Sequence, residues 1–340
     1  MINRHSTTAH SAYLDLLRAL RDEAVSDIRG TPTRVERKGK VYWYDSYRVG
    51  SDVRKTYIGE DSPELALRLD RLRDLRAEVE ARKAHRTRLI RILRAEGYLS
   101  ADAATGSLLA AIATAGMFRL GGTIVGTAAF RLYEGVLGVR LGFDQMAQTG
   151  DIDIASFERL SLALEDTMSP PLQKILGDFA FDPVPAMPGE GVWRWRQTRN
   201  DLLVEFLTPS FEAEEATRPL AALGTYAKSL HHLNYLIAEP ITAVVVYRSG
   251  VLVQIPRPER FAIHKLIVAD RRRDGPNDLR AVKDRMQAEF LIEVLAEDRP
   301  DELAEAYQVA LGTGPRWRER LQTSLARLPQ TRARLEGVSG

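Results

Sequence analysis

Residues 118–155 read FRLGGTIVGTAAFRLYEGVLGVRLGFDQMAQTGDIDIA, and this stretch decides the fold. It opens on a short apolar segment, residues 118–120, which predicts a strand. The glycine pair Gly121-Gly122 ends that strand, and residues 124–137 then have the apolar spacing of a helix. Because short apolar strands alternate with helices through to Tyr247, we predict an α/β (α+β) domain with a small mixed sheet.

The glycine break between strand and helix predicts a phosphate site. Such a break exposes backbone N–H groups at a helix N-terminus, where unpaired donors and the positive end of the helix dipole favour anions. The hydroxyl groups of Thr123 and Thr127 add side-chain donors. Gly121, Gly122, Thr123 and Thr127 are therefore predicted to contact the phosphates of a ligand.

The end of the stretch, Asp151-Ile152-Asp153-Ile154, predicts a metal site. In a strand, alternate residues share a face, so Asp151 and Asp153 point together while the isoleucines point into the core. A lone pair of this kind is most often a solvated strand edge. Beside a phosphate-binding helix start, however, it supplies the ligands that Mg²⁺ prefers, carboxylates plus phosphate oxygens. Two such ions roughly 3.5–4 Å apart stabilise the attacking and leaving oxygens of an in-line displacement.

The order of glycine pair, helix and Asp-x-Asp strand resembles the signature of the DNA-polymerase-β-like nucleotidyltransferase superfamily. More narrowly, the chain resembles the bacterial GSU2403-like family of nucleotidyltransferase fold proteins. That resemblance covers roughly residues 40–290. It rests on the segments LGGTIVGTAAF, TGDIDIA, LLVEFLTP and PERFAIHKLIVADRR, with YWYDSYRVG and YIG upstream.

The resemblance implies a third carboxylate, a phosphate-binding lysine and two substrates. Glu205, in the apolar run Leu202–Leu207, is the matching carboxylate, which in the superfamily binds metal and activates the attacking hydroxyl. The family pattern more often has Asp there, and its gap between the glycines and Asp-x-Asp is usually shorter. Lys265 matches a contact to the triphosphate. The implied cofactor is Mg²⁺, with Mn²⁺ as the alternative, and the implied substrate is a nucleoside triphosphate (NTP).

The whole chain divides into three predicted parts, residues 1–98, 99–256 and 257–340. The first is predicted as a helix over 11–29 capped by Gly30, a β-hairpin within 34–59 turning at 50–52, and a long helix from Ser62 to about Glu96. The second is the nucleotidyltransferase core. The third is predicted to be helical, with breaks at Pro300 and Pro315.

Composition narrows the class of protein. The 340 residues include no cysteine, which excludes a disulfide framework and thiolate metal sites. The net charge of +2 argues against a general nucleic-acid binder. The longest apolar stretch is far shorter than the roughly 20 residues of a membrane helix. The first residues lack the apolar region of a signal peptide, so we expect a cytoplasmic protein.

The sequence predicts transfer of NMP from Mg-NTP to an acceptor hydroxyl with release of pyrophosphate, and leaves RNA, protein and small molecules open as acceptors. The alternative is a non-catalytic regulatory or antitoxin-like protein that binds a nucleotide or partner.

Several other sequence features are open to two interpretations. Basic residues 82–94 could contact RNA or be a solvated face, Arg271 to Arg273 could line the nucleotide site or cap a helix, and Trp193 and Trp195 could stack a base or pack a hairpin. The pair His231-His232 has no carboxylate at ligand spacing, so no zinc site is predicted there.

Overall fold

The structure is a computed structural model, and it describes part of the chain. The described residues are 2–26, 31–37, 39–49, 52–71, 79–141, 150–158, 160, 166–185, 191–198, 201–212, 215–272 and 278–339. Every structural statement below concerns these residues. The predicted cap Gly30, the turn residues Gly50 and Ser51, and Arg273 lie outside them.

The N-terminal part contains three helices and an antiparallel sheet. Its elements are α1 (Thr7–Ser26), β1 (Thr31–Arg37), β2 (Lys40–Val49), β3 (Asp52–Glu60), α2 (Pro63–Asp70) and α3 (Val79–Ala95). The order β1-β2-β3 adds a strand to the predicted hairpin. The predicted long helix is wrong at its middle, since α2 ends at Asp70 and Arg71 has the non-helical angles φ −90° and ψ 5°. The predicted helix start is confirmed, because the Ser62 side chain accepts a hydrogen bond from the Leu65 N–H.

Helix α1 fixes the N-terminal part to the rest of the chain. Its Tyr13 and Leu16 are fully buried against Ile90 and Leu93 of α3. The Tyr13 hydroxyl also accepts a hydrogen bond of 3.0 Å from the backbone N–H of Val244. Helix α1 therefore packs through its apolar face.

A mixed sheet forms the centre of the molecule, as predicted. Around it the chain forms α4 (Ala103–Thr114), β4 (Thr123–Val125), α5 (Gly126–Leu137), β5 (Asp151–Ala155), α6 (Leu172–Asp178), β6 (Phe181–Pro183), β7 (Arg194–Gln197), β8 (Leu202–Pro209), β9 (Thr217–Leu220) and β10 (Thr225–Leu230). In the described residues this sheet has the order β4-β5-β8-β10-β9. Strand β8 pairs in parallel with β5 on one side. On its other side it pairs with β7, antiparallel, over its first half and with β10, parallel, over its second half.

The start of the core corrects the prediction for residues 118–137. Residues 115–121 form turns after α4, with Leu120 N–H donating to the Gly116 carbonyl. The strand is Thr123–Val125, where Ile124 pairs with Ile154, and the helix begins at Gly126. The predicted strand at 118–120 and the helix start at Ile124 are therefore wrong, because the β-branched run Thr-Ile-Val pairs with β5 instead of entering the helix.

The chain continues through a short hairpin into helices. These elements are α7 (Leu233–Leu236), β11 (Ile241–Val245), β12 (Val251–Ile255), α8 (Pro258–Arg271), α9 (Asp278–Asp298), α10 (Pro300–Gly312), α11 (Pro315–Leu325) and α12 (Pro329–Ser339). Pro300 and Pro315 each open a helix, so both predicted breaks are confirmed. Among the helices that can be described, none combines the length and the apolar character needed to cross a membrane.

Candidate functional site

A single row of residues crosses four strands of the central sheet and carries two of the predicted carboxylates. Val125 of β4 pairs with Asp153 of β5, Asp153 pairs with Glu205 of β8, and Glu205 pairs with Arg194 of β7. Directly paired residues on neighbouring strands point to the same face of a sheet, and their strands are about 4.8 Å apart. Asp153 and Glu205 are therefore neighbours on one face, as the predicted site requires.

Asp151 completes a group of three carboxylates. It lies two residues before Asp153 on β5, so its side chain shares the face of the row. Asp153 and Glu205 are directly paired across β5 and β8, so their carboxyl groups are close neighbours. Burial, followed by the charges of Glu205 and Asp151, raises the pKa of Asp153. Burial and the Asp151 charge also raise the pKa of Glu205. Acids that oppose one another's ionisation in this way favour a nearby cation.

Gly126 is a residue of the candidate site that the sequence analysis did not identify. It has φ +64°, in the left-handed region, and a Cβ atom added there would lie 2.3 Å from Asp153 Oδ2. Only glycine allows the first turn of α5 to approach the carboxylate this closely. The unpaired N–H groups at a helix start thus lie at one end of the row. A β-branched run that ends in Gly-Thr was the sequence signal that could have revealed this position.

The glycine pair of the prediction lies elsewhere. Gly121 and Gly122 precede β4, and a Cβ atom at Gly121 would meet Leu160 and Ser156. Thr123 is buried and pairs with Ala155, at the end of the ladder away from Asp151. The helix N-terminus predicted at these three residues is therefore wrong, and their contact with phosphate stays a prediction without that support. Thr127, in contrast, lies in the first turn of α5 beside Gly126.

A cavity of about 280 Å³ opens between the carboxylate face of the sheet and helix α8. Asp153 and Gly126 line one wall, while Lys265, Arg271 and Arg272 line the other. The structure thus brings the predicted phosphate ligand Lys265 and two of the three predicted arginines to the same space as Asp153. The remainder of the lining is mostly apolar, including Leu207, Leu233, Leu236 and Phe261.

Two carboxylates outside the row hold these cations in place. Asp284 of α9 is buried, and its two oxygens accept hydrogen bonds of 2.6 Å from Lys265 Nζ and from Arg272 Nη1. Glu215 accepts a bond of 3.1 Å from Arg271 Nη2. Fixed cations facing a carboxylate cluster across a cavity are suited to an anion that also carries a metal.

The buried Asp284 gives a prediction about stability. Asp284→Asn leaves the Lys265 ammonium buried without its carboxylate, and breaking such a pair costs about 3 kcal/mol. We expect urea denaturation to show a loss of that size in the free energy of unfolding. Adding Lys265→Met to the variant should recover part of the loss, because the stranded charge is then gone. An Asp284→Asn protein as stable as the wild type would contradict the pairing.

The contacts of three other residues, Trp195, His231 and Arg86, bear on the interpretation of the sequence features that contain them. Trp195 is buried and pairs with Val204, on the face opposite Glu205, so it belongs to the hairpin packing. His231 Nδ1 lies 2.9 Å from Glu215 Oε1, a carboxylate that sequence spacing did not reveal. In the basic segment of α3, Arg86 is buried in an ion pair with Glu23, so it is not part of an RNA-binding face.

The donor chemistry of the site fits a divalent cation. Across the described residues no set of three or more His, Asp or Glu side chains is arranged as a metal cage. Asp151, Asp153 and Glu205 nevertheless form a cluster of acids whose mutual repulsion and burial a cation would offset. Oxygen ligands of this kind are those preferred by Mg²⁺ and Mn²⁺.

Comparison with known proteins assigns more than half of the chain to a family. Residues 103–312, more than half of the chain, match a family model described as Nucleotidyltransferase. Residues 12–67 match a second family, described as a domain of unknown function (DUF6788). Neither a curated protein nor a solved structure gives a significant match. The first match takes in all three carboxylates, Gly126 and the cation wall, and the chain therefore belongs to this nucleotidyltransferase family.

Proposed function

We propose that the protein transfers NMP from Mg-NTP to the hydroxyl group of an acceptor and releases pyrophosphate. The observation that carries this proposal is the pairing of Asp153 with Glu205, beside Asp151, where Asp153 also lines a cavity with Lys265 and two arginines. Carboxylates on one side and fixed cations on the other match the two charges of a metal-bound triphosphate. We also propose that the central sheet is a polymerase-β-like core.

Asp151, Asp153 and Glu205 would hold the metal. When bound, Mg²⁺ neutralises charge on the phosphate oxygens and lowers the cost of the displacement. Burial and the repulsion between neighbouring carboxylates raise the pKa values of Asp153 and Glu205, so these acids hold protons more readily than exposed ones. Metal and proton therefore compete for the same oxygens, and metal affinity should fall as the solution becomes more acidic.

The cavity would hold the β- and γ-phosphates. Lys265, Arg271 and Arg272 present positive charge to it, while Gly126 and Thr127 offer donors at the start of α5. Because Asp284 and Glu215 already orient the cations, little reorganisation is needed when the phosphates enter.

Glu205 is placed to act on the acceptor. It is the carboxylate nearest β7, at the side of the row away from Gly126. We propose that it receives the proton of the attacking hydroxyl, directly or through water, as that oxygen approaches the α-phosphate.

The test is pyrophosphate release from each of the four NTPs with Mg²⁺ and a cell extract as the source of acceptor. We expect release with at least one NTP and a higher melting temperature of the protein in its presence, because a bound ligand stabilises the folded state. A rise in melting temperature without pyrophosphate would favour the alternative, a regulatory protein that binds the nucleotide without turnover. The absence of both effects would reject nucleotide binding.

A further inference from the structure

We infer that the acceptor carries a phosphate group, which Arg194 and Arg280 bind on the Glu205 side of the site. This inference rests on the proposed function and adds the chemical class of the acceptor. It follows from the direction of the residue row, from two cations at its far end, and from the geometry that an in-line displacement requires.

The row has two different ends. Val125 and Gly126, with the cation-lined cavity, lie on one side of Asp153. Arg194 lies on the other side, opposite Glu205. Each step between strands is about 4.8 Å, so Arg194 is roughly 10 Å from Asp153 across the sheet. Positive charge is thus present at both ends of the carboxylate row.

Helix α9 brings a second arginine to the Glu205 end. Arg280 lies one turn before Asp284, and residues four apart on a helix share a side, so it faces the same region. Arg194 and Arg280 both interact electrostatically with Glu205. Lys283, on the next turn of the same helix, interacts electrostatically with Asp151, Lys265 and Arg280.

These two arginines differ from the cations of the cavity. Lys265 and Arg272 are bound to Asp284, and Arg271 is bound to Glu215. Within the described residues, neither Arg194 nor Arg280 forms an ion pair. The Arg194 guanidinium instead lies over the Trp193 ring, 5.0 Å from its centroid. In the part of the chain that the structure describes, this guanidinium donates no hydrogen bond, and a guanidinium binds phosphate through paired N–H groups.

In-line displacement assigns the two groups of cations to different substrates. The attacking oxygen must approach the α-phosphate opposite to the leaving pyrophosphate. If pyrophosphate leaves into the cavity, the acceptor enters from the Glu205 end. Its hydroxyl oxygen bonds to the α-phosphorus, the bond from that phosphorus to pyrophosphate breaks, and Glu205 takes the proton. Cations on the acceptor side offset the charge of Glu205, and they also suit an acceptor with a phosphate near its hydroxyl.

The experiment measures binding of defined phosphate-bearing probes to the full chain, with Mg²⁺ and a saturating non-hydrolysable NTP so that the nucleotide cavity is filled. The probes are a fluorescent ten-residue oligoribonucleotide and a nucleoside 5′-monophosphate, with the unphosphorylated nucleoside for comparison. We expect one phosphate-bearing probe to bind more tightly than the nucleoside. The double variant Arg194→Gln, Arg280→Gln should weaken that binding by at least about tenfold, since each charged hydrogen bond contributes that order of affinity.

The matched control is Arg248→Gln. Arg248 is exposed and lies over the Tyr247 ring at 5.2 Å, much as Arg194 lies over Trp193, but it is on the turn of the β11–β12 hairpin. Its loss should leave probe binding unchanged. Binding of the oligoribonucleotide alone identifies a nucleic-acid end, and binding of the monophosphate identifies a small phosphorylated acceptor.

Two results would overturn the inference, namely no binding of either phosphate-bearing probe or equal binding by wild type and double variant. Both results can be distinguished from failure of the proposed function, because that function is measured separately, as pyrophosphate release from NTP by the wild-type protein. Release with no effect of the two arginines rejects only the phosphorylated acceptor. No release rejects the proposed function itself, and probe binding would then not mark an acceptor site.

Discussion

Asp153→Asn should reduce pyrophosphate release by at least about a hundredfold while the protein stays folded, because removing one group that stabilises transition-state charge costs that much or more. Asp153 lies between Gly126 and Glu205, and it is directly paired with Glu205 across the sheet. The amide keeps the size of the side chain and can donate to Glu205, but it removes a negative charge that metal binding needs. Since that charge also repels Glu205 and Asp151, the melting temperature should be unchanged or higher.

The control for this variant is Asp182→Asn. Asp182 is an exposed aspartate of β6 in the same sheet, outside the carboxylate row. Its activity and melting temperature should equal those of the wild type. An Asp153→Asn protein that releases pyrophosphate at the wild-type rate would show that this carboxylate does not take part in the reaction.

Gly126→Ala is expected to be the second most damaging change. The residue has φ +64°, which costs an L-residue about 1–2 kcal/mol, and the new methyl would lie 2.3 Å from Asp153 Oδ2. The carboxylate must therefore move, and a displacement near 1 Å in an active site costs about a hundredfold in rate. We expect both a loss of stability in urea and a loss of pyrophosphate release.

Gly224→Ala separates backbone strain from displacement of the carboxylate. Gly224 also has φ +64°, but the nearest atom to an added Cβ is 3.9 Å away. This variant should show a similar loss of stability and retain its activity. If both glycine variants lose activity equally, the effect comes from backbone strain, and the close approach of Gly126 to Asp153 is not functional.

The acidic residues of the site could be predicted because they depend on local rules. The two-residue period of a strand places Asp151 and Asp153 on one face, whatever the strand pairs with. Glu205 stood out as a charge inside an apolar strand, which is costly without a partner. What the sequence could not provide is the register that puts Glu205 beside Asp153, because pairing between distant strands is set by the whole core.

The start of the helix after the glycine pair was predicted at the wrong residue for a local reason. Gly121-Gly122 is the more conspicuous break, whereas the glycine that opens the helix follows the short strand Thr123–Val125. From sequence alone, a run of three β-branched residues before a helix can be assigned to a strand or to the helix. In the structure, pairing with β5 makes this run a strand. The bond between Lys265 and Asp284 could not be predicted either, because Asp284 comes from the next helix.

The most direct test of the central claim is the fate of the α- and γ-phosphates of the preferred NTP. With Mg²⁺ and acceptor, label on the α-phosphate should appear covalently on the acceptor, while label on the γ-phosphate should leave as pyrophosphate. Neither transfer should occur with Asp153→Asn. Label from the γ-phosphate on the acceptor, or release of γ-label as inorganic phosphate alone, would contradict nucleotidyl transfer by this site.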